Sequence, residues 1–551
     1  MGMIKIQIGD WLKNAGIVGL STVLARLQTP ELRIIEKGQY IEFDEKLLDG
    51  FEDKYFEVLI DKHEKSLSWY KLISQEYVLN NLEDKKESVE KLNKIIDEIK
   101  SKVNSNSYKN AYLILEDSEI IENLIPKINK IKITKKQDFN DVKEEYLEQI
   151  RVLTEIIEYF KKPNVKKIIA AKNVMYEVIQ PFWTNVSFLL KTNNKKEMYN
   201  LYKVDFVDSV KKYNEKDNMK NKYNCFTCEN KISKLSKPEA FDLTWIVKTG
   251  VDMTRKSSHF WELKGDAYIC PICNLVYSCI PIGFTTLKGK GLFINNNGSI
   301  RTLKTSNVAE VSYESEKFEE IEQASYLRIV NTIDQYGIEN IDKEFENIQI
   351  VKFDSSNGSR PYSFNVLSKT LLRTIYCNRK RLQKLIKVIV KVTDKYYINL
   401  YSEVIDRLYI GKDLFDLIYM LMKMNLSGEF KGTHFIYSIL EINNSFKGGR
   451  EMRFEDTKKF KNYGLNLRRK YVESGNENKI SGITYRLLNA LKIKDSSKFM
   501  DTMINAYMYV KLEIPTDFVK GLNSIDALQG IGYAFLIGLQ GVKEIREEGE
   551  N

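Results

Sequence analysis

Histidine is nearly absent from this chain: 551 residues contain three, His63, His259 and His434, far apart from one another. That scarcity excludes an H-E-x-x-H metalloprotease helix and a paired His-Asp metal site, and no G-x-S-x-G elbow takes their place. The nearest approach to a phosphate loop, Gly283-Phe-Thr-Thr-Leu-Lys288-Gly289-Lys290-Gly291, has one residue too many before Gly289-Lys290. It also carries Gly291 where a Ser or Thr would hold Mg²⁺. The chain is therefore expected not to be an enzyme. Cysteine is scarce too, six in all, which excludes a disulfide framework. Long apolar runs are missing: the longest candidate, Ile531 to Val542, is too short to span a bilayer. The opening Met-Gly-Met-Ile-Lys-Ile has neither the Ser/Thr of a myristoylation signal nor an apolar targeting region, so a cytoplasmic location is expected. With 43% hydrophobic and 29% charged residues, the composition is that of a globular protein with several cores.

What cysteine there is falls in a pattern. Cys225-Phe-Thr-Cys228 and Cys270-Pro-Ile-Cys273 are two C-x-x-C pairs, and four thiolates delivered in pairs make a closed tetrahedral Zn²⁺ site. A catalytic zinc would keep an open position with His or carboxylate ligands, so the metal is read as structural, stapling a whole subdomain across the long loop between the pairs. The competing reading is four unpaired buried cysteines in a reducing compartment. Asn230 and Asn274 follow the pairs and are expected to take the left-handed turns of zinc knuckles. His259 is the one imidazole near them in sequence, while Cys279 and Cys377 lack ligand spacing and are expected to be core thiols.

Positive charge, +10 net, is concentrated in two places. From Lys369 to Lys395 the bases Lys369, Arg373, Arg379, Lys380, Arg381, Lys384, Lys387, Lys391 and Lys395 face Asp394 alone, and Arg373 to Lys391 reads as one basic helix. The second cluster is Arg453, Lys458, Lys459, Lys461, Arg468, Arg469 and Lys470, with Phe460 and Tyr463 interleaved. Phosphate is the expected ligand of both; a solvated helix face is the alternative. Lys288 and Lys290 lie on a glycine-flexed hairpin where little side chain blocks approach to a phosphate backbone, or on a plain surface turn.

The expected fold is mainly α with smaller α+β parts, multidomain, with a zinc-binding subdomain in the middle and a C-terminal helical bundle. Residues 1–65 read as a mixed α/β segment, with short strands either side of Lys37-Gly38. Residues 66–217 are helix-rich, and Val142, Tyr146, Ile150, Leu153, Ile157 and Phe160 mark one helix face. Residues 218–310 form the zinc-binding subdomain with basic hairpins, 311–415 an α/β-to-helical connection carrying the basic helix, and 416–551 the bundle. In the bundle Ile483, Leu487, Leu488 and Leu491 line one helix. Phe499, Met503, Tyr507 and Val510 line a second, capped by Asp495, and Leu528, Phe535, Leu539 and Val542 a third.

Several words of this sequence together resemble the large subunit of type I-B CRISPR interference complexes, the Cst-type large subunit of Cascade. They are Ile8-Gly9-Asp10-Trp11-Leu12 with Asn14-Ala15-Gly16, the two cysteine pairs, and Gly289-Lys-Gly-Leu-Phe-Ile-Asn295-Asn296-Asn297. Ile480-Ser-Gly-Ile-Thr-Tyr-Arg486-Leu-Leu-Asn489 and Phe499-Met-Asp501-Thr belong to the same set. The resemblance implies a DNA-recognition subunit that reads a short protospacer-adjacent motif in duplex DNA, aids opening of the duplex and recruits a separate helicase-nuclease. Its implied partners are the guide CRISPR RNA, target duplex DNA with its displaced strand, and the backbone, foot and small subunits of Cascade. Guide pairing would carry most sequence specificity, leaving the protein a few base-edge contacts and many phosphate contacts. Candidate base contacts are Asn295, Asn296 and Asn297, read as a loop, and Asn14. Two other readings stay open. One is a zinc-stabilised RNA-binding scaffold. The other is a metal-dependent nuclease using acids such as Asp205, Asp208, Asp242 and Asp252.

Overall fold

The computed structural model describes residues 2–134, 137–216, 218, 220–246, 267–287, 289–307, 318–335, 348–358, 360–447, 454–520 and 525–541. Lys288, His259, Asp252, Arg453 and Val542 lie outside the described residues. The architecture is mainly helical with small antiparallel sheets and divides into two compact units, Met1–Phe318 with Asn347–Val366, and Glu319–Glu346 with Leu367–Asn551. Among the described residues no helix is long and apolar enough to cross a membrane.

In the first unit, strands Met3–Gln7 (β1), Ile35–Lys37 (β2) and Tyr40–Asp44 (β3) form an antiparallel sheet of order β1-β3-β2. Alternation puts Ile4, Ile6, Ile41 and Phe43 on the buried face, in the register Ile4↔Phe43 and Ile6↔Ile41. Gly38 makes the turn between β2 and β3 with φ +52°.

Two-residue strands frame the cysteines: Tyr223–Asn224 (β4) pairs with Lys231–Ile232 (β5), and Phe241–Asp242 (β6) with Tyr268–Ile269 (β7). Thr285–Leu287 (β8), Lys290–Asn296 (β9), Ile348–Asp354 (β10) and Tyr362–Val366 (β11) make a four-stranded sheet of order β11-β10-β9-β8. The asparagine run is therefore the end of a strand rather than the expected loop, because the β-prone Leu292-Phe293-Ile294 continues into Asn295 and Asn296 and pairs with β10.

The helix Trp11–Ala25 starts at Asp10, whose carboxylate accepts from Leu12 N and Lys13 N at 2.8 and 3.0 Å. It is buried on nearly every side, as its apolar composition requires. Its close contact is with Pro271–Ser278 and Ile280–Gly283: a Cβ on Gly16 would sit 2.3 Å from Val276 O, and one on Gly19 2.0 Å from Cys279 O. Only glycine permits that approach. A second core in this unit joins Lys86–Val103, Asn106–Tyr112, Lys143–Lys161 and Pro163–Val174, and Tyr146, Leu153, Ile157 and Phe160 lie in it as the periodicity predicts.

The second unit is a helical assembly with a hairpin, Ile389–Thr393 (β12) and Tyr396–Asn399 (β13). Its basic run is not the single helix expected. Lys369–Cys377 and Arg379–Leu385 are separate helices broken at Asn378, and Lys391 lies on β12, whose Ile-Val-Lys-Val-Thr sequence favours a strand. Phe454–Glu473, Asn478–Lys492, Ser496–Tyr509 and Ile525–Gln540 form the bundle. Leu487, Leu488, Leu491, Phe499, Met503, Tyr507, Leu528, Phe535 and Leu539 are buried there, and Asp495 caps the third of these helices by accepting from Lys498 N at 2.9 Å. Phe454–Glu473 and Ile525–Gln540 touch backbone to backbone, a Cβ on Gly464 falling 2.0 Å from Phe535 O and one on Gly538 1.9 Å from Lys461 O.

Candidate metal centre and nucleic-acid interface

The β4–β5 ribbon presents Cys225 and Cys228 on its turn. Cys225 N donates to Asn230 O at 2.7 Å, and Glu229 N to Cys225 O at 2.9 Å, closing the loop after the second cysteine. That geometry needs a positive φ directly after Cys228, so Glu229 takes it, at +62°, and not Asn230 as expected. The second pair needs no left-handed residue. Cys270 caps the helix Pro271–Ser278, Pro271 fills the first turn where an N–H has no partner to lose, and Asn274 is helical, donating to Cys270 O at 3.0 Å.

Strand β7 sets the two halves together: Phe226 N donates to Tyr268 O at 2.8 Å and Cys270 N to Cys225 Sγ at 3.2 Å. All four sulfurs lie within 4.8 Å of one another, Cys228 and Cys270 at 3.6 Å. A tetrahedral zinc with bonds of about 2.3 Å requires sulfur separations of about 3.8 Å, so the four cysteines could hold a metal ion. Cys225, Cys270 and Cys273 are buried and Cys228 is half-buried. Without a cation the sulfurs cannot all ionise: hydrogen bonding to Cys225 and Cys228, then burial, pushes the Cys270 and Cys273 thiols well up. The same bonds, received at Cys225, pull its thiol down. A divalent ion removes this conflict by taking four thiolates. Among the described residues this is the one cluster of three or more His, Cys, Asp or Glu ligand atoms with metal-binding closeness. Asp208 pairs instead with Lys203 at 2.8 Å, Asp242 accepts from Thr244 N at 2.9 Å, and Asp205 lies in a π turn, Lys203–Val207. Cys279 is a core thiol, but Cys377, at the end of its helix, is exposed.

The glycine contacts of Trp11–Ala25 seat that helix on the helix bearing Cys270 and Cys273. From there Asn14 reaches β9. Its Nδ2 donates to Asn295 Oδ1 at 2.8 Å and Asn297 Oδ1 at 3.0 Å, and its Oδ1 accepts from Gly9 N at 2.8 Å. Asn295 Nδ2 donates onward to Gln349 Oε1 at 3.2 Å. Asn14, Asn295 and Asn296 are buried and Asn297 is half-buried. The structure thus corrects their reading as an open loop: the amides of Asn14, Asn295 and Asn297 bond one another, while Asn296 accepts from Gly298 N at 3.2 Å and its Nδ2 is buried with no hydrogen-bond partner. Gln349 was the member sequence reasoning missed, and nothing in its local sequence signals it. Next to this network, β8 and β9 form the expected glycine-flexed hairpin, in register Leu287↔Lys290, with Gly289 at φ +80°. Lys290 is half-buried at its edge.

In the second unit the basic residues divide by partner. Arg373, Lys380 and Lys384 are exposed. Arg379 donates to Tyr376 O at 2.9 Å and lies over the Tyr376 ring. Arg381 pairs with Glu441, whose side chain is only 7% exposed, so this guanidinium neutralises a buried carboxylate and is not the open phosphate contact expected. Arg468 is likewise committed: it donates to Leu539 O and Gln540 O at 3.2 and 3.1 Å, where a helix end attracts a cation, and pairs with Glu477 at 2.6 Å. Lys470 pairs with Glu473 at 2.7 Å, and Arg469 is exposed.

No curated protein and no solved structure matches the chain. A family model described as "CRISPR-associated protein (Cas_CXXC_CXXC)" matches residues 218–285. That segment contains both cysteine pairs and β4 to β7, and the match indicates a CRISPR-associated protein.

Proposed function

We propose that this chain is the DNA-recognition large subunit of a type I-B Cascade complex, and that its four cysteines hold a structural Zn²⁺. The observation that carries the reading is that the CRISPR-associated segment contains the cysteine centre and that this centre is packed on the same buried helix whose Asn14 braces the basic β8–β9 hairpin. In this reading the metal fixes the hairpin's support and catalyses nothing; strand cleavage belongs to a separate helicase-nuclease. Lys288 and Lys290 meet the phosphate backbone or a base step beside the protospacer-adjacent motif, and the asparagines position that hairpin from beneath. Arg373, Lys380, Lys384 and Arg469 supply sequence-independent phosphate contacts to target duplex, displaced strand or guide RNA. Backbone, foot and small subunits complete the assembly.

A tagged pull-down from the native host, with sequencing of bound RNA and mass spectrometry of bound proteins, tests this. The expected result is a uniform spacer-bearing guide RNA with Cascade subunits. Heterogeneous RNA without such partners would replace the proposal with an RNA-binding scaffold. Mg²⁺-dependent cutting of DNA by the purified chain would replace it with a nuclease.

A further inference from the structure

The helix-rich part of the first unit contains a cavity of about 520 Å³ where Lys86–Val103, Asn106–Tyr112 and Pro163–Val174 meet. Interfaces between helices are ordinarily filled by apolar side chains, and the second core of this unit is filled in that way. This cavity instead is lined by hydroxyls, amides, one carboxylate and one amine, including Lys102, Asn106, Ser107, Tyr176 and Glu177. Tyr176 and Glu177 lie on a π-helical turn, Met175–Ile179, a departure from regular helix that recurs at functional sites.

Two polar groups in the wall lack protein partners. Ser107 Oγ is buried with none, and Lys102, half-buried, makes no hydrogen bond or ion pair among the described residues. Burial lowers the affinity of the Lys102 amine for its proton and outweighs the nearby Glu98 and Glu177 carboxylates, while Lys71 adds a like charge. An anion at this spot would relieve both effects. Burial, in turn, pushes the Glu177 carboxyl up, and hydrogen bonds from Ser68, then the charges of Lys71 and Lys102, only partly oppose this. Hydroxyl donors would serve that carboxylate as a ribose serves the acidic residue of a dinucleotide site. The half-buried Tyr176 ring offers a face on which a base can stack. The volume suits one nucleotide, within the usual range of small-ligand pockets.

We infer that this cavity binds a ribonucleoside 5′-phosphate, with Lys102 on the phosphate and Glu177 on the ribose hydroxyls. The same chemistry is offered by a free nucleotide and by the phosphorylated end of an RNA strand. The inference does not depend on motif reading, since a subunit that reads no motif can hold a nucleotide.

Calorimetric titration of the full chain with AMP, UMP, adenosine and dAMP, and with one short RNA carrying either a 5′-phosphate or a 5′-hydroxyl, tests it. A charge-assisted contact corresponds to roughly ten-fold or more in affinity, so a phosphorylated ligand should bind at least that much tighter than its unphosphorylated counterpart. Lys102→Ala should abolish the difference at unchanged melting temperature, and Glu177→Gln should reduce the preference of AMP over dAMP. Mononucleotide binding identifies a free nucleotide as the source, and binding of the 5′-phosphorylated RNA alone identifies the strand end. Absence of binding by every probe, equal affinity with and without phosphate, or an unchanged affinity in Lys102→Ala overturns the proposal.

Discussion

The cysteine-bearing region of the first unit and the C-terminal bundle of the second are both crossed by helices in backbone contact through glycine, yet they are stabilised by different means. In the bundle, long helices bury continuous apolar stripes, from Leu487 to Leu539, and the ends are closed by caps such as Asp495 and by Arg468 on the carbonyls of Leu539 and Gln540. Around the cysteines the strands are two residues each. Pairs so short cannot persist on their own hydrogen bonds. What joins them is the sulfur cluster and the helix seated on it. The lesson is that the short strands around the cysteines depend on the sulfur cluster that joins them, whereas the bundle rests on continuous apolar packing.

The sharpest way to break this comparison is to remove the metal. Structural zinc in finger peptides is worth about 10–16 kcal/mol, so strong chelation or Cys225→Ser should abolish bound metal and open the region from β4 to β8 to hydrogen exchange. Exchange in Asn478–Lys492 and Ile525–Gln540 should stay slow. Equal loss of protection in both regions would show that the metal supports the whole chain.

Glycine replacement should affect both units alike. Gly19→Val and Gly464→Val each force a side chain against a carbonyl that a Cβ would approach to 2.0 Å, and each should cost roughly 1–3 kcal/mol or more, read as a lowered midpoint in urea. A smaller effect separates buried polar groups from exposed ones. Asn295→Ala removes the nearest of the three acceptors of Asn14 Nδ2 and empties a buried position, and should cost about 1–3 kcal/mol. Arg381→Ala, which strands Glu441, belongs in the same range. Should Asn295→Ala change motif preference at full stability, the asparagines would be base readers after all. The smallest effect on stability is expected for the exposed bases: Lys384→Ala or Arg469→Ala should be within about 0.5 kcal/mol of the parent. Each should nevertheless lower the slope of log affinity against log salt by about one if it meets a phosphate.

Much of this was legible in sequence because the information was local. Helical stripes, the Asp495 cap, the turn at Lys37-Gly38 and the glycine hairpin at Gly289 each follow from residues within a few positions of one another. The four-cysteine cluster was legible across a longer gap because ligand spacing is itself a pattern. Partner choice was not. Asn14 meets Asn295 across 281 residues, and no local rule distinguishes an asparagine on a turn from one completing a buried network. Arg381 and Arg468 looked like members of charge clusters because their partners, Glu441 and the end of the last helix, are remote in sequence. That Lys391 belongs to a strand and not to the basic helix was readable in principle, since Ile389-Val-Lys-Val-Thr393 is a β-branched run; the charge pattern obscured it.

The most direct test of the central claim is selection from a duplex library. The complex reconstituted around this chain with its guide RNA would be presented with targets that match the guide and carry randomised flanking bases, and bound molecules would be sequenced. The account predicts strong enrichment of one short motif beside the guide-matched segment, lost when the chain is omitted or stripped of metal. Uniform recovery of all flanks, or the same enrichment without this chain, would contradict it.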